Sequence, residues 1–178
     1  MAAPNGMCTI AQPSPWVVRW ASTIPAAGAV LDLACGSGRH TRHLLGLGLS
    51  VLAVDRDLAG VADLLGTPGF ASLAADLEGG APWPLPDRRF DGVVVTNYLH
   101  RPIMAKIVAA VAPGGVLIYE TFAQGNERFG KPSNPDFLLR PGELLDHARP
   151  LEVLAYEALT TQGERPAVIQ RIAARRAP

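Results

Sequence analysis

Val30-Leu31-Asp32-Leu33-Ala34-Cys35-Gly36-Ser37-Gly38-Arg39-His40 is the stretch that decides the fold. The apolar run Ala29–Asp32 ends at an acid, and a glycine turn follows. A helix candidate over Arg39–Leu47 comes next, with Leu44, Leu45 and Leu47 on one side. Strand, glycine turn, helix is the layout of a nucleotide-binding first crossover. Glycine lets the backbone approach a ligand closely, and a helix N-terminus offers free N–H groups. Two details separate this loop from a dinucleotide site. Thr41 stands where the third glycine of G-x-G-x-x-G would be. Asp32 is aimed at the loop from the strand end, where its carboxylate would repel a pyrophosphate and attract an amino group. Cys35 precedes a glycine in a turn and reads as packing rather than as a nucleophile.

Outward from this stretch, short apolar runs alternate with helix candidates. Val51–Val54 is followed by Asp55, 19 residues after Gly36, and an acid at that spacing accepts hydrogen bonds from ribose hydroxyls. Leu58–Leu65 reads as helical, and Phe70–Ala75 as a strand ending at Asp76. Asp91–Thr96 is the next strand, Arg101–Val111 a helix closed by Pro113-Gly114-Gly115, and Val116–Thr121 a fifth strand. The runs are continuous rather than alternating in polarity, as in strands buried on both faces. The expected fold is α/β: a Rossmann-like, doubly wound, mostly parallel seven-stranded sheet with helices on both faces. Gly142–His147 reads as a short helix, and Glu152–Leu159 and Ala167–Ala174 as a hairpin about Gly163, so the last strand is expected to be antiparallel.

Residues 1–13 read as a flexible tail and 14–178 as a single domain, since 178 residues fit one. Ser14 is the expected N-cap of a helix with Pro15 at its first position. Trp16 and Trp20 then form a core-facing stripe or close a pocket. Hydrophobic residues at 48% supply a core, and 16 basic residues balance 16 acidic ones. That balance weighs against a nucleic-acid partner, and Arg171, Arg175 and Arg176 are too few for an RNA-binding strip. Two cysteines make no disulfide framework. No apolar stretch reaches the roughly 18 residues of a membrane span. A cytoplasmic protein with reduced thiols is the simplest expectation. His40 and His43 have no further ligands spaced for zinc, so no metal site is expected, and both read as a solvated helix face.

VLDLACGSGRH followed by VLAVDRD resembles the class I S-adenosylmethionine-dependent methyltransferases. The likeness covers about residues 28–121 by motif, with PLPDRRFDGVVV and VAPGGVLIYE resembling the approaches to the family's fourth and fifth strands. It implies S-adenosyl-L-methionine as cofactor. Asp32, Ala34, Gly36 and Gly38 would hold its methionine end. Asp55 would take the ribose hydroxyls, Asp76 and Leu77 would lie at the adenine, and Arg56 and Asn97 would also contact the cofactor. The loop G-S-G-R-H and the compact size are similar to the tellurite-resistance and thiopurine-type members.

Methyl transfer needs proximity and alignment more than a protein nucleophile. The segment Thr96-Asn97-Tyr98-Leu99-His100 departs from the N-P-P-Y tetrapeptide of amide and ring-nitrogen methyltransferases. Tyr98, Phe122 and Arg128 are candidates for the acceptor pocket. His100 is a candidate base or a helix cap. Glu120 either binds the acceptor or pairs with Arg128 or Arg140. The stretch 122–140 has no period and reads as a lid or as a surface loop pinned by Phe122, Phe129 and Phe137. The leading expectation is methylation of a small molecule, with a homodimer as the default assembly. A cofactor-binding protein without catalysis, an RNA or protein methyltransferase, and a nicotinamide-dependent oxidoreductase are the alternatives. A basic face around the pocket mouth would favour RNA.

Overall fold

The structure, a computed structural model, describes residues 11–163 and 165–178. Most of the expected tail therefore lies outside the described residues. Seven strands form one sheet: β1 (Ala29–Leu33), β2 (Ser50–Asp55), β3 (Phe70–Ala74), β4 (Phe90–Thr96), β5 (Val111–Phe122), β6 (Glu152–Thr160) and β7 (Val168–Arg175). Their order is β3-β2-β1-β4-β5-β7-β6. The first five are parallel, while β7 runs antiparallel to both β5 and β6. This is the Rossmann-like doubly wound sheet expected. The chain reverses direction across the sheet between β1 and β4, where ligands of such sheets lie.

The apolar runs of the central strands feed two cores. Leu31, Leu33, Val93, Val95, Leu117 and Tyr119 face one layer, together with α3 (Met104–Ala109) and α4 (Glu143–His147). Val30, Val94, Val116 and Ile118 face the other, together with α1 (Pro15–Ala21) and α2 (Arg39–Gly46). Successive strand side chains point to opposite faces, so a run buried on both must be apolar throughout. The edge strands β3 and β6 depart from this, being half-buried or exposed over most of their length.

Ser14 caps α1 as expected, its hydroxyl accepting from Trp16 N–H at 3.1 Å. Trp16 is buried, donates its indole N–H to the Ile172 carbonyl at 3.2 Å, and belongs to the core. The helix expected over Leu58–Leu65 is a 3-10 run, Ala59–Leu64. The helix expected over Arg101–Val111 is a 3-10 turn, Arg101–Ile103, leading into the short α3. Pro113-Gly114-Gly115 does not end that helix; it lies inside β5, where the register with β4 shifts. A Cβ at Gly115 would meet the Phe90 and Ala112 carbonyl oxygens at 2.9 Å, so glycine is what lets the irregular strand lie this close. Among the described residues no helix is long and apolar enough to cross a membrane.

Candidate functional site

A three-lobed cleft lies over the carboxyl ends of β1–β5. The first lobe, about 450 Å³, is lined by Ala34, Asp55, Arg56, Ala75, Asp76, Leu77, Glu78, Tyr98 and Phe137. The second, about 290 Å³, is bounded by the glycine loop, Ala11, Arg39, His40, Thr96 and Asn97. The third, about 270 Å³, is bounded by Glu78, Asn97, Tyr98, Leu99, Thr121, Phe122, Pro132 and Phe137. Ala34 is shared by the first and second lobes, and Asn97 by the second and third. Both hinge residues are non-glycine with positive φ, +54° each. Strained backbone of this kind is held only where its surroundings over-determine it, and it gathers at ligand sites.

The glycine loop is built against Gly60. A Cβ there would meet the Gly36 carbonyl oxygen at 2.5 Å and the Ser37 Cα at 2.7 Å. Arg42 ties the same contact, donating to the Ser37 carbonyl at 2.7 Å and the Gly60 carbonyl at 3.2 Å, and pairing with Asp63. A Cβ on Gly38 would run into Val61 and Arg42, whereas one on Gly36 would meet open space. Gly36 thus presents its backbone to the cleft.

The acids at the strand ends differ in kind. Asp32 is 1% exposed and lines none of the lobes. It sits beneath the loop, where its Oδ2 accepts the Thr41 hydroxyl at 2.6 Å. Burial raises its pKa to about 6 against that hydrogen bond. Asp55 accepts from Gly36 N–H at 2.9 Å and from Asp57 N–H at 3.1 Å, and still lines the first lobe. Asp76 accepts from Glu78 N–H and Gly79 N–H and is exposed to the same lobe. Cys35 is buried, and burial followed by the charges of Asp32 and Asp55 pushes its thiol up to about 12, which fits the packing role.

Several expected roles move. Glu120 pairs with neither Arg128 nor Arg140: it accepts the Ser14 hydroxyl at 2.8 Å and pairs with Arg171 at 3.3 Å. Arg128 is exposed, bonds the Gly125 carbonyl and stacks its guanidinium on Phe129, so it does not line the cleft. His100 sits at the N-cap position of the 3-10 turn without a side-chain cap bond, and it lines no lobe. His40 is not on a solvated face. It is buried, accepts Ser14 N–H at 3.1 Å, lies 3.2 Å from the Thr96 hydroxyl, and is driven down to about 3 by burial and by Arg39.

The stretch 122–140 is pinned by polar groups rather than by aromatics, since Phe129 and Phe137 are exposed. Arg101 donates to the Asp136 carbonyl at 2.7 Å and the Leu138 carbonyl at 2.8 Å. It also pairs bidentately with Glu143 at 2.7 and 3.0 Å. Burial acts to raise the Glu143 pKa, but Arg101 and the Arg140 N–H hold it down to about 2. Buried Asn126 holds the other end, donating to the Pro132 carbonyl and accepting Val168 N–H. These clamps set Phe137 and Pro132 on the cleft wall. Tyr98 is fixed from below by the Tyr119 hydroxyl, which donates to its carbonyl at 2.7 Å. Its own hydroxyl is buried without a hydrogen-bond partner. Burial, then the charges of Glu78, Asp76 and Asp55, push it above the ordinary phenol range. Glu78, Arg39, Thr121 and Pro132 carried no signal in the sequence, because the folded loops bring them to the cleft.

A family model described as a methyltransferase domain matches residues 30–115. Over that span, a little under half of the chain, the sequence is similar to a methyltransferase domain. The fold is the Rossmann-like fold of methyltransferases. The matched span holds the glycine loop, Asp55, Asp76 and Asn97, while the clamped loop, β6 and β7 lie beyond it. The chain is 34% identical over 113 residues to the tRNA U34 carboxymethyltransferase of Methylococcus capsulatus. That alignment covers 58% of this chain and 35% of the relative, so the chain spans about a third of the relative's length. TehB from Haemophilus influenzae has the same fold, with a TM-score of 0.72, 21% identity, and coverage of 90% of this chain and 61% of TehB. The 1,6-didemethyltoxoflavin-N1-methyltransferase of Burkholderia thailandensis, solved with 1,6-didemethyltoxoflavin and S-adenosylhomocysteine, has a TM-score of 0.66 and 19% identity over 92% of this chain and 77% of that one.

Proposed function

We propose that the chain is a methyltransferase that binds S-adenosyl-L-methionine in the first two lobes and a small-molecule acceptor in the third. The carrying observation is the charge of the cleft. Three carboxylates (Asp55, Asp76 and Glu78) line it, against two guanidiniums, Arg56 and Arg39. A pyrophosphate would meet repulsion there, whereas a sulfonium cation is attracted. This weighs against a nicotinamide dinucleotide. The residues fit the cofactor. Asp55 keeps acceptor capacity toward the first lobe for a ribose diol, with Arg56 beside it. Asp76 and Leu77 offer an acceptor and an apolar wall to an adenine. Ala34, Gly36 and Asn97 border the second lobe, where a methionine end would lie and Arg39 would meet its carboxylate. Gly38 shapes that loop, and Asp32 adds charge from beneath it. When bound, the cofactor supplies an electrophilic methyl group.

The chain's own part is positioning. Tyr98, Phe122, Phe137 and Leu99 keep the third lobe apolar, and Asn97 joins it to the second lobe. His100 and Glu120 take no part in this reading. The carboxymethyltransferase relative favours a second reading, in which tRNA is the acceptor. The cleft lining, three carboxylates against Arg39 and Arg56, weighs against a polyanion. Incubation with methyl-labelled S-adenosylmethionine and either a small-molecule panel or total tRNA separates them. Label in the small-molecule fraction alone is expected; label in tRNA alone would overturn the choice of acceptor. A cytoplasmic location and a homodimer belong to the same proposal.

A further inference from the structure

The third lobe has a chemistry of its own, and assigning it a ligand class rests on the reading that it receives the acceptor. Its walls are aromatic, formed by Tyr98, Phe122 and Phe137. Among the described residues its one charged lining group is the Glu78 carboxylate, and no lysine or arginine lines it. A carboxylate or phosphate on a ligand would enter without a counter-charge, at a steep desolvation cost. An ammonium group would meet Glu78 and aromatic walls, and carboxylates and ring faces both attract cations. The lobe is built rather than incidental: Tyr119 holds Tyr98, Arg101 holds the backbone on either side of Phe137, and Asn126 holds Pro132. Its volume of about 270 Å³ lies just below the usual range of about 300–1,000 Å³ for drug-sized ligands, which suits one ring with a short side arm.

We propose that this lobe binds a small amine carried on a single aromatic ring, with Glu78 taking the ammonium group and Phe137 and Tyr98 flanking the ring. Three probes of nearly equal shape test this: phenethylamine, 2-phenylethanol and 3-phenylpropionate, each titrated calorimetrically into the full chain. The amine is expected to bind at least about tenfold more tightly than the alcohol, a difference of about 1.4 kcal/mol, with the acid weakest. Glu78→Gln is expected to erase the preference for amine over alcohol while leaving the alcohol's affinity within about twofold. Thermal melting of the variant guards against misfolding, since Glu78 is exposed and makes no ion pair among the described residues. Equal binding of amine and alcohol, preference for the acid, or no amine binding overturns the proposal. Titration of S-adenosylhomocysteine into the same sample reports on the cofactor reading separately. If it binds and the amine does not, only the acceptor assignment is lost.

Discussion

Asp32 and Glu143 are both enclosed carboxylates, 1% and 5% exposed, yet their environments push them in opposite directions. Among the described residues Asp32 has one hydroxyl partner and no ion-pair partner, and burial lifts its pKa to about 6. Glu143 has Arg101, Arg140 and a backbone N–H around it and is held down to about 2. The first acid is stabilising in its neutral form only, and it sits beneath a ligand loop. The second is stabilising as a charge and fastens the loop that carries Phe137. An uncompensated buried charge beside a cleft is a mark of function, whereas a fully compensated one is a mark of construction.

The largest expected effect lies on the functional side of this contrast. Asp55→Ala removes an ionised acceptor from the first lobe and from Gly36 N–H, and should weaken S-adenosylhomocysteine binding by about 100-fold or more, read by calorimetry. A loss below about threefold would place the ribose elsewhere. On the structural side, Glu143→Gln breaks the clamp. Buried pairs broken from one side cost about 3–5 kcal/mol, and because Arg101 is partly exposed the expected loss is nearer 2–3 kcal/mol, read by urea denaturation. S-adenosylhomocysteine should still bind this variant. Losing both at once would mean that the clamp and the cofactor lobes are one unit.

The pH dependence separates the two acids by sign. Across about pH 4 to 6 folded Asp32 keeps its proton while the unfolded chain has lost it, so this group's contribution falls as pH rises through that window. Asp32→Asn keeps an acceptor for Thr41. It should gain about 2–3 kcal/mol at pH 7–8 and abolish that fall, while weakening S-adenosylhomocysteine binding. Glu143 runs the other way. Its contribution is complete above its unfolded value of 4.5 and fades as pH drops toward 2. Asp32→Asn without a stability gain would remove the contrast. The smallest effect on the fold is expected of Phe137→Ala. Phe137 is 45% exposed, so stability should change by less than about 0.5 kcal/mol while phenethylamine binding drops several-fold.

The same contrast explains what was legible in the sequence. The sheet and the acid-ended strands β1–β3 were readable because each depends on local order: an apolar run, an acid, a glycine turn. Gly60 and Arg42 were not, since their contacts with the loop arise only when the Ala59–Leu64 run folds back on it. Helix periodicity places His40 on a polar face, and the Ser14 segment and Thr96, both from outside the helix, cover it. Periodicity alone therefore misplaces it. Glu120 has two candidate partners in the sequence, and its actual one, Arg171, comes from an antiparallel strand 51 residues away. The loop 122–140 has no period because two polar clamps order it: Arg101, distant in sequence, and Asn126, which ties the loop to Val168. Phe137 could be named as a loop aromatic, but its seat on the cleft depends on Arg101, 36 residues earlier.

The central claim is that the acids over the strand ends admit an S-adenosyl cofactor and repel a dinucleotide. Calorimetric titration of S-adenosylhomocysteine and of NADH into the full chain at neutral pH tests it directly. Saturable one-to-one binding of S-adenosylhomocysteine in the micromolar range, with no heat from NADH, is the predicted result. NADH binding, or no S-adenosylhomocysteine binding by protein with a cooperative thermal transition, would contradict it.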